Sequence, residues 1–171
     1  MSNREEKRAQ FEKDKKRGPL VWVLIALAVV AAGGLGVWSS LDESGGTYPR
    51  VRVEDGSVRI PLASVGDGMA HFFTVRHGDT DVDFFVLKSR DGVIRSAFDT
   101  CDVCFKAKKG YRQEGDMMVC NNCGQKFAAD KINEIKGGCN PAPLRRTVSG
   151  DALVIAAADI GKGAWYFEGS R

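Results

Sequence analysis

Three kinds of enzyme machinery are missing from this 171-residue chain. There is no His-Glu-x-x-His pair for a hydrolytic metal, no Gly-x-Ser-x-Gly turn to expose a nucleophilic serine and no Gly-rich phosphate loop. The carboxylates are scattered among turns, with no pairing that spacing alone justifies. Histidine is scarce, with only His71 and His77. Neither an internal repeat of the strand-rich region nor a long low-complexity segment is present. An excess of one charge sign is also missing from residues 39–171, where eighteen Lys/Arg meet eighteen Asp/Glu. A cysteine-rich module that grips nucleic acid carries a basic surface, so nucleic acid is excluded as a partner. The local run Lys106, Lys108, Lys109 and Arg112 reads as a solvated face.

Charge is absent altogether from Leu20 to Trp38, nineteen residues that as a helix cross a hydrocarbon core of ~30 Å. Arg4, Lys7, Arg8, Lys13, Lys15, Lys16 and Arg17 precede this run, and Asp42 and Glu43 follow it. Positive residues stay inside, so the N-terminus is expected in the cytoplasm. The reading is a cytoplasmic basic tail at 1–18, a transmembrane anchor at 19–41, a linker at 42–50 and an extracytoplasmic domain at 51–171. That makes a single-pass protein of the inner (cytoplasmic) membrane. Small residues Ala31, Ala32, Gly33 and Gly34 leave a cleaved signal as the alternative.

Beyond the linker the chain reads as mainly β, α+β at most: a small antiparallel sheet carrying a Cys-rich ribbon. Val51-Arg52-Val53, a turn at Asp55-Gly56 and Val58-Arg59-Ile60 give a hairpin pattern. Met69 to Arg76, Val82 to Lys88 and Val93 to Phe98 are further strands. Ala152 to Ala157 and Ala164 to Phe167 are expected to return to the same sheet. Asp130 to Lys136 is either a short helix stopped by Gly137 or a loop.

Cysteine is where the chemistry concentrates. Cys101-x-x-Cys104 and Cys120-x-x-Cys123 stand fifteen residues apart, the spacing of two knuckles facing one ion. The hairpin Gly110 to Gln113, Glu114-Gly115-Asp116, Met117 to Val119 runs straight into Cys120. Cys139 follows Gly137-Gly138, a pair that lets backbone wrap closely around a site, and an odd fifth cysteine weakens an all-disulfide reading. Phe98, Phe105, Tyr111 and Phe127 are placed to shield sulfur or simply to fill core. Metal ligands are therefore Cys101, Cys104, Cys120 and Cys123, with Cys139 and His71 as further candidates. No catalytic residue is assigned. Spacing alone favours Zn2+.

The run Ala97-Phe98-Asp99-Thr100-Cys101-Asp102-Val103-Cys104, with Val119-Cys120-Asn121-Asn122-Cys123-Gly124 and Gly137-Gly138-Cys139-Asn140-Pro141, resembles the FtrD-like family of bacterial membrane iron-sulfur proteins. The resemblance takes in His71-Phe72-Phe73 and Phe84-Phe85-Val86 and spans roughly Val51 to Leu144. It implies an extracytoplasmic (periplasmic) iron-sulfur cluster bound by Cys101, Cys104, Cys120, Cys123 and Cys139. It also implies electron transfer linked to iron transport, with iron-permease or redox membrane proteins as partners. The alternative is a structural zinc-ribbon or disulfide-stapled ectodomain acting as a partner-binding module.

Overall fold

The computed structural model describes residues 41–42 and 48–169. The basic tail and the apolar run Leu20 to Trp38 lie outside the described residues, as does most of the expected linker. No helix among the described residues is long and apolar enough to cross a membrane.

Eleven strands form three small sheets among the described residues. The largest contains β1 (Leu41–Asp42), β2 (Arg50–Val51), β4 (His71–His77), β5 (Thr80–Lys88) and β6 (Ile94–Phe98), adjacent in that order. Its centre is an antiparallel meander in which Phe84 sits opposite both Phe73 and Phe98. A second sheet orders β10 (Thr147–Ser149), β11 (Ala152–Ala156) and β3 (Ser57–Pro61). The third is the ribbon of β7 (Tyr111–Glu114), β8 (Met117–Cys120) and β9 (Lys126–Ala128). A single turn of α-helix, α1 (Ala157–Gly161), follows β11.

β5 divides two apolar cores, because successive side chains on a strand point to opposite faces. Val82, Phe84 and Val86 enter a core with Val58, Ile60, Leu153, Ile155 and Ile160. Phe85 and Leu87 face the other way, into a core with Cys101, Tyr111, Met118, Cys120 and Ile132. β6 alternates likewise, Phe98 joining the first core and Ala97 the second. The sheet is thus a wall between an ordinary apolar core and a cysteine-bearing one.

Three sequence expectations are corrected. The hairpin over Val51 to Ile60 closes only at the Glu54–Ser57 bridge, and its two arms join different sheets. β3 pairs instead with β11, where Ile60 lies opposite Leu153 and Val58 opposite Ile155. That pairing buries the apolar face of β3, which a lone two-stranded hairpin exposes. The returning strand β11 therefore does not rejoin the meander. Ala164 to Phe167 is a 3-10 turn, not a strand. Tyr166 and Phe167 are consecutive and both buried, a pattern that strand alternation on a one-sided sheet forbids. Both pack on Phe98, with ring centroids 6.2 and 6.3 Å away. In Asp130 to Lys136 the loop alternative holds, after a 3-10 turn at Ala129–Lys131.

Candidate metal centre

The first knuckle hangs from the end of β6 and is fixed by a buried carboxylate. Asp99 accepts hydrogen bonds from the Tyr111 backbone N–H at 2.7 Å and the Tyr48 hydroxyl at 2.9 Å, tying the knuckle's entry to the start of β7. Burial pushes the Asp99 carboxyl up to about 6. Gly110 turns the chain into β7 with φ of 60°, and a Cβ there would collide with the Asp99 carboxylate. Within the knuckle the Cys104 backbone N–H donates to Cys101 Sγ at 3.1 Å.

The second knuckle ends β8. Cys120 Sγ accepts from the backbone N–H groups of Cys123 and Asn122. Gly124, at φ of 74°, donates its N–H to the Cys120 carbonyl at 2.8 Å, so the chain reverses tightly into β9. The knuckles are tied together as well: Asn121 donates its backbone N–H to the Gly110 carbonyl at 3.0 Å and its side-chain amide to the Lys109 carbonyl at 2.9 Å.

A third arm brings Cys139. Gly137 and Gly138 both adopt positive φ, 85° and 62°, a sharp bend that side-chain-bearing residues resist. Beyond the bend, the Ala142 N–H donates to the Thr100 carbonyl and the Phe98 N–H to the Ala142 carbonyl, at 2.9 and 2.8 Å. The Tyr111 hydroxyl donates to the Cys139 carbonyl at 2.6 Å. The arm is thereby laced to the base of both knuckles.

All five cysteines meet. The sulfurs of Cys101, Cys104 and Cys120 lie within 4.8 Å of one another, and so do those of Cys104, Cys123 and Cys139, with Cys104 common to both groups. Cys104 Sγ is 3.9 Å from Cys139 Sγ, and all five thiols are free. Cys101 and Cys120 are 1% and 2% exposed, Cys104 and Cys139 half-buried and Cys123 exposed. The site thus has a dry inner side and a wet edge.

Burial and hydrogen bonding act on these thiols in opposite directions. Burial pushes the Cys120 thiol up to about 11 and the Cys139 thiol up to about 12, the neighbouring thiols of Cys123 and Cys104 adding to the latter. Cys104 moves the other way, down to about 7, chiefly because the Asn122 side-chain amide donates to its sulfur at 3.4 Å. Burial and the Cys101 sulfur raise the Tyr111 phenol far above its ordinary value, keeping it a donor. Ionising thiols this close together costs repulsion, and a multivalent cation would relieve it while replacing the protons. The donor set is soft sulfur backed by aimed N–H groups, which fits both iron-sulfur and zinc chemistry.

Tyr111 and Phe127 pack with the cysteines, whereas Phe98 and Phe105 belong to the opposite core. His71 is outside both sulfur groups: its Nε2 lies 2.8 Å from Asp67 Oδ1. Tyr48, Asp99 and the sulfur-directed amide of Asn122 are parts of the site that sequence reasoning missed. Tyr48 is 51 positions from its partner Asp99, a separation that leaves no local pattern.

Residues 65–167 match the model of a family described as membrane iron-sulfur containing protein, FtrD-like. No curated protein matches the sequence. Among solved structures, two crystal structures of the quaternary ammonium Rieske monooxygenase CntA, one with an inhibitor and one with the substrate gamma-butyrobetaine, are 11% identical with a TM-score of 0.38. Each match covers 57% of this chain and 30% of that one. At this level of likeness nothing of their activity transfers.

Proposed function

Because the chain belongs to the FtrD-like family of membrane iron-sulfur proteins, we propose that its five cysteines hold an iron-sulfur cluster and that the protein carries electrons outside the cytoplasmic membrane in support of iron uptake. The observation that carries this reading is the meeting of five free thiols from three separate chain segments, with Cys104 shared between two sulfur groups. A bound cluster supplies a reversible electron couple.

The chain's own residues do the rest. Cys101 and Cys120 grip from the dry side, where Tyr111, Phe85 and Met118 exclude water. The backbone N–H groups of Cys104, Asn122 and Cys123 are directed at sulfur and offset the negative charge that gathers there. Cys123, at the exposed edge, offers a short route to a redox partner. In this reading the basic N-terminal tail stays in the cytoplasm, the Leu20 to Trp38 run anchors the protein, and iron-permease or redox membrane proteins are its partners.

The full chain, purified anaerobically and supplied with iron and sulfide, is expected to contain both and to show a visible band that bleaches reversibly with dithionite. One bound zinc, no acid-labile sulfide and no electron uptake would instead establish the structural-zinc alternative, which the two knuckles also suit. For topology, a reporter that works only outside the cytoplasm is expected to be active when fused after Arg171; an inactive fusion reverses the orientation.

A further inference from the structure

Beside the first core, the described residues line a concave space of about 470 Å³. Its floor is apolar, built from Phe98, Ala142, Pro143, Leu144 and the Trp165–Tyr166 pair. The two indole and phenol rings stack at 3.8 Å between centroids, and Trp165 is 48% exposed although large aromatic surface is costly to leave in water. Four cations also line the space: Lys136, Arg145, Arg146 and Lys162. The one carboxylate among the lining residues, Asp159, is already paired to Lys162 at 2.6 Å.

Four cations against one lining carboxylate leave the space basic on balance. Arg146 donates its Nε to the Ile94 carbonyl at 2.8 Å, and the Glu134 carboxylate offsets part of its charge. Burial first, and then the nearby Arg95 charge, weaken Arg146's hold on its proton, with Glu134 opposing them. Residues 39–171 carry equal numbers of acids and bases, so this concentration is a separation of charge across the domain, not a general excess. A volume of this size is that of a small-molecule site. A stacked aromatic wall with fork-shaped guanidinium donors at the rim suits a ligand that is flat at one end and anionic at the other.

We propose that this cavity binds an organic anion, a carboxylate or phosphate group carried on a flat apolar body. The apolar end lies against Trp165 and the anionic end meets Arg146, Arg145 and Lys136. The site stands apart from the sulfur cage but touches it through one residue, since Tyr166 lines the cavity and its hydroxyl donates to Asp102 inside the first knuckle. Binding rests on these residues alone and is independent of whether the cage holds iron, zinc or nothing.

The test is isothermal titration of the full chain in neutral detergent, blanked against detergent alone, with phenyl phosphate, phenol and inorganic phosphate. Phenyl phosphate is expected to bind at least about tenfold more tightly than either fragment, and the Lys136→Gln/Arg145→Gln double variant to lose about tenfold, the scale of one charge-assisted hydrogen bond. Both positions are exposed, so the variant is expected to fold, which circular dichroism checks. Arg59→Gln, on β3 and away from the cavity, is expected to keep the native affinity. Equal binding of the three probes, or native affinity in the double variant, overturns the proposal.

Discussion

The two cores on either side of β5 differ in what can hold them together. The first takes whole side chains from two sheets and the C-terminal turn, and Val58, Phe84, Leu153, Ile155 and Ile160 in it are fully buried. At about 1.5–3 kcal/mol for each large apolar side chain buried, such a core suffices to order its strands. The second is built on strands of three or four residues, and cysteine sulfurs replace much of the hydrocarbon. Strands that short bury little on their own, and a metal or cluster held by the cysteines would add its binding energy to the folding of this half. One strand thus serves both cores: Phe84 packs in the apolar one and Phe85 beside the cysteines.

The largest effect is expected from removing an inner thiolate. Cys101→Ser or Cys120→Ser should bring bound metal close to background and loosen the ribbon, measured as metal per chain and as amide exchange in β7 and β8. Cys139→Ser should retain more metal than either, because the two inner knuckle sulfurs remain. Unchanged occupancy in the Cys101 variant would break the common-site reading.

Next come the two neighbouring phenylalanines. Phe84→Ala should cost about 3–5 kcal/mol in thermal or denaturant unfolding, with or without metal. Phe85→Ala should in addition speed metal loss to a chelator. Identical metal retention in the two variants would erase the distinction between the cores.

Gly110→Ala sharpens the comparison at the junction. It combines a strained positive φ with a collision at Asp99, so a loss of about 2–3 kcal/mol is expected by denaturant titration. The smallest effect concerns pH. Burial raises the Asp83 carboxyl above its ordinary value, while the Thr74 hydroxyl donates to it at 2.5 Å and partly offsets the rise. A raised acid favours the fold most below its unfolded pKa of 3.8, and that contribution fades as pH climbs through the raised value. Asp83→Asn is expected to flatten this part of the stability profile without touching metal content.

The sequence exposed the ribbon well, because its devices are local: cysteine spacing, the Glu114-Gly115-Asp116 turn and the paired glycines before Cys139 all act within a few residues. The meander was legible for the same reason, through alternation in β4, β5 and β6. What stayed hidden was long-range. The choice of β11 as the partner of β3 depends on matching apolar faces nearly a hundred positions apart, and the 3-10 turn at Ala164–Phe167 depends on Phe98 awaiting two consecutive aromatics. The Asp99 anchor joins Tyr48, Tyr111 and the Gly110 turn, a convergence no single window contains. In the sequence, an aspartate two residues before a cysteine carries no sign of burial.

Hydrogen exchange on the full chain, supplied with metal and again after chelation, separates a packed half from a metal-held one. The amides of Tyr111–Glu114 and Met117–Cys120 are expected to lose protection when the metal is removed, while those of β5 facing β4 and β6 keep theirs. Equal loss across both regions, or full protection of the ribbon without metal, would contradict the division of the molecule into a packed half and a metal-held half.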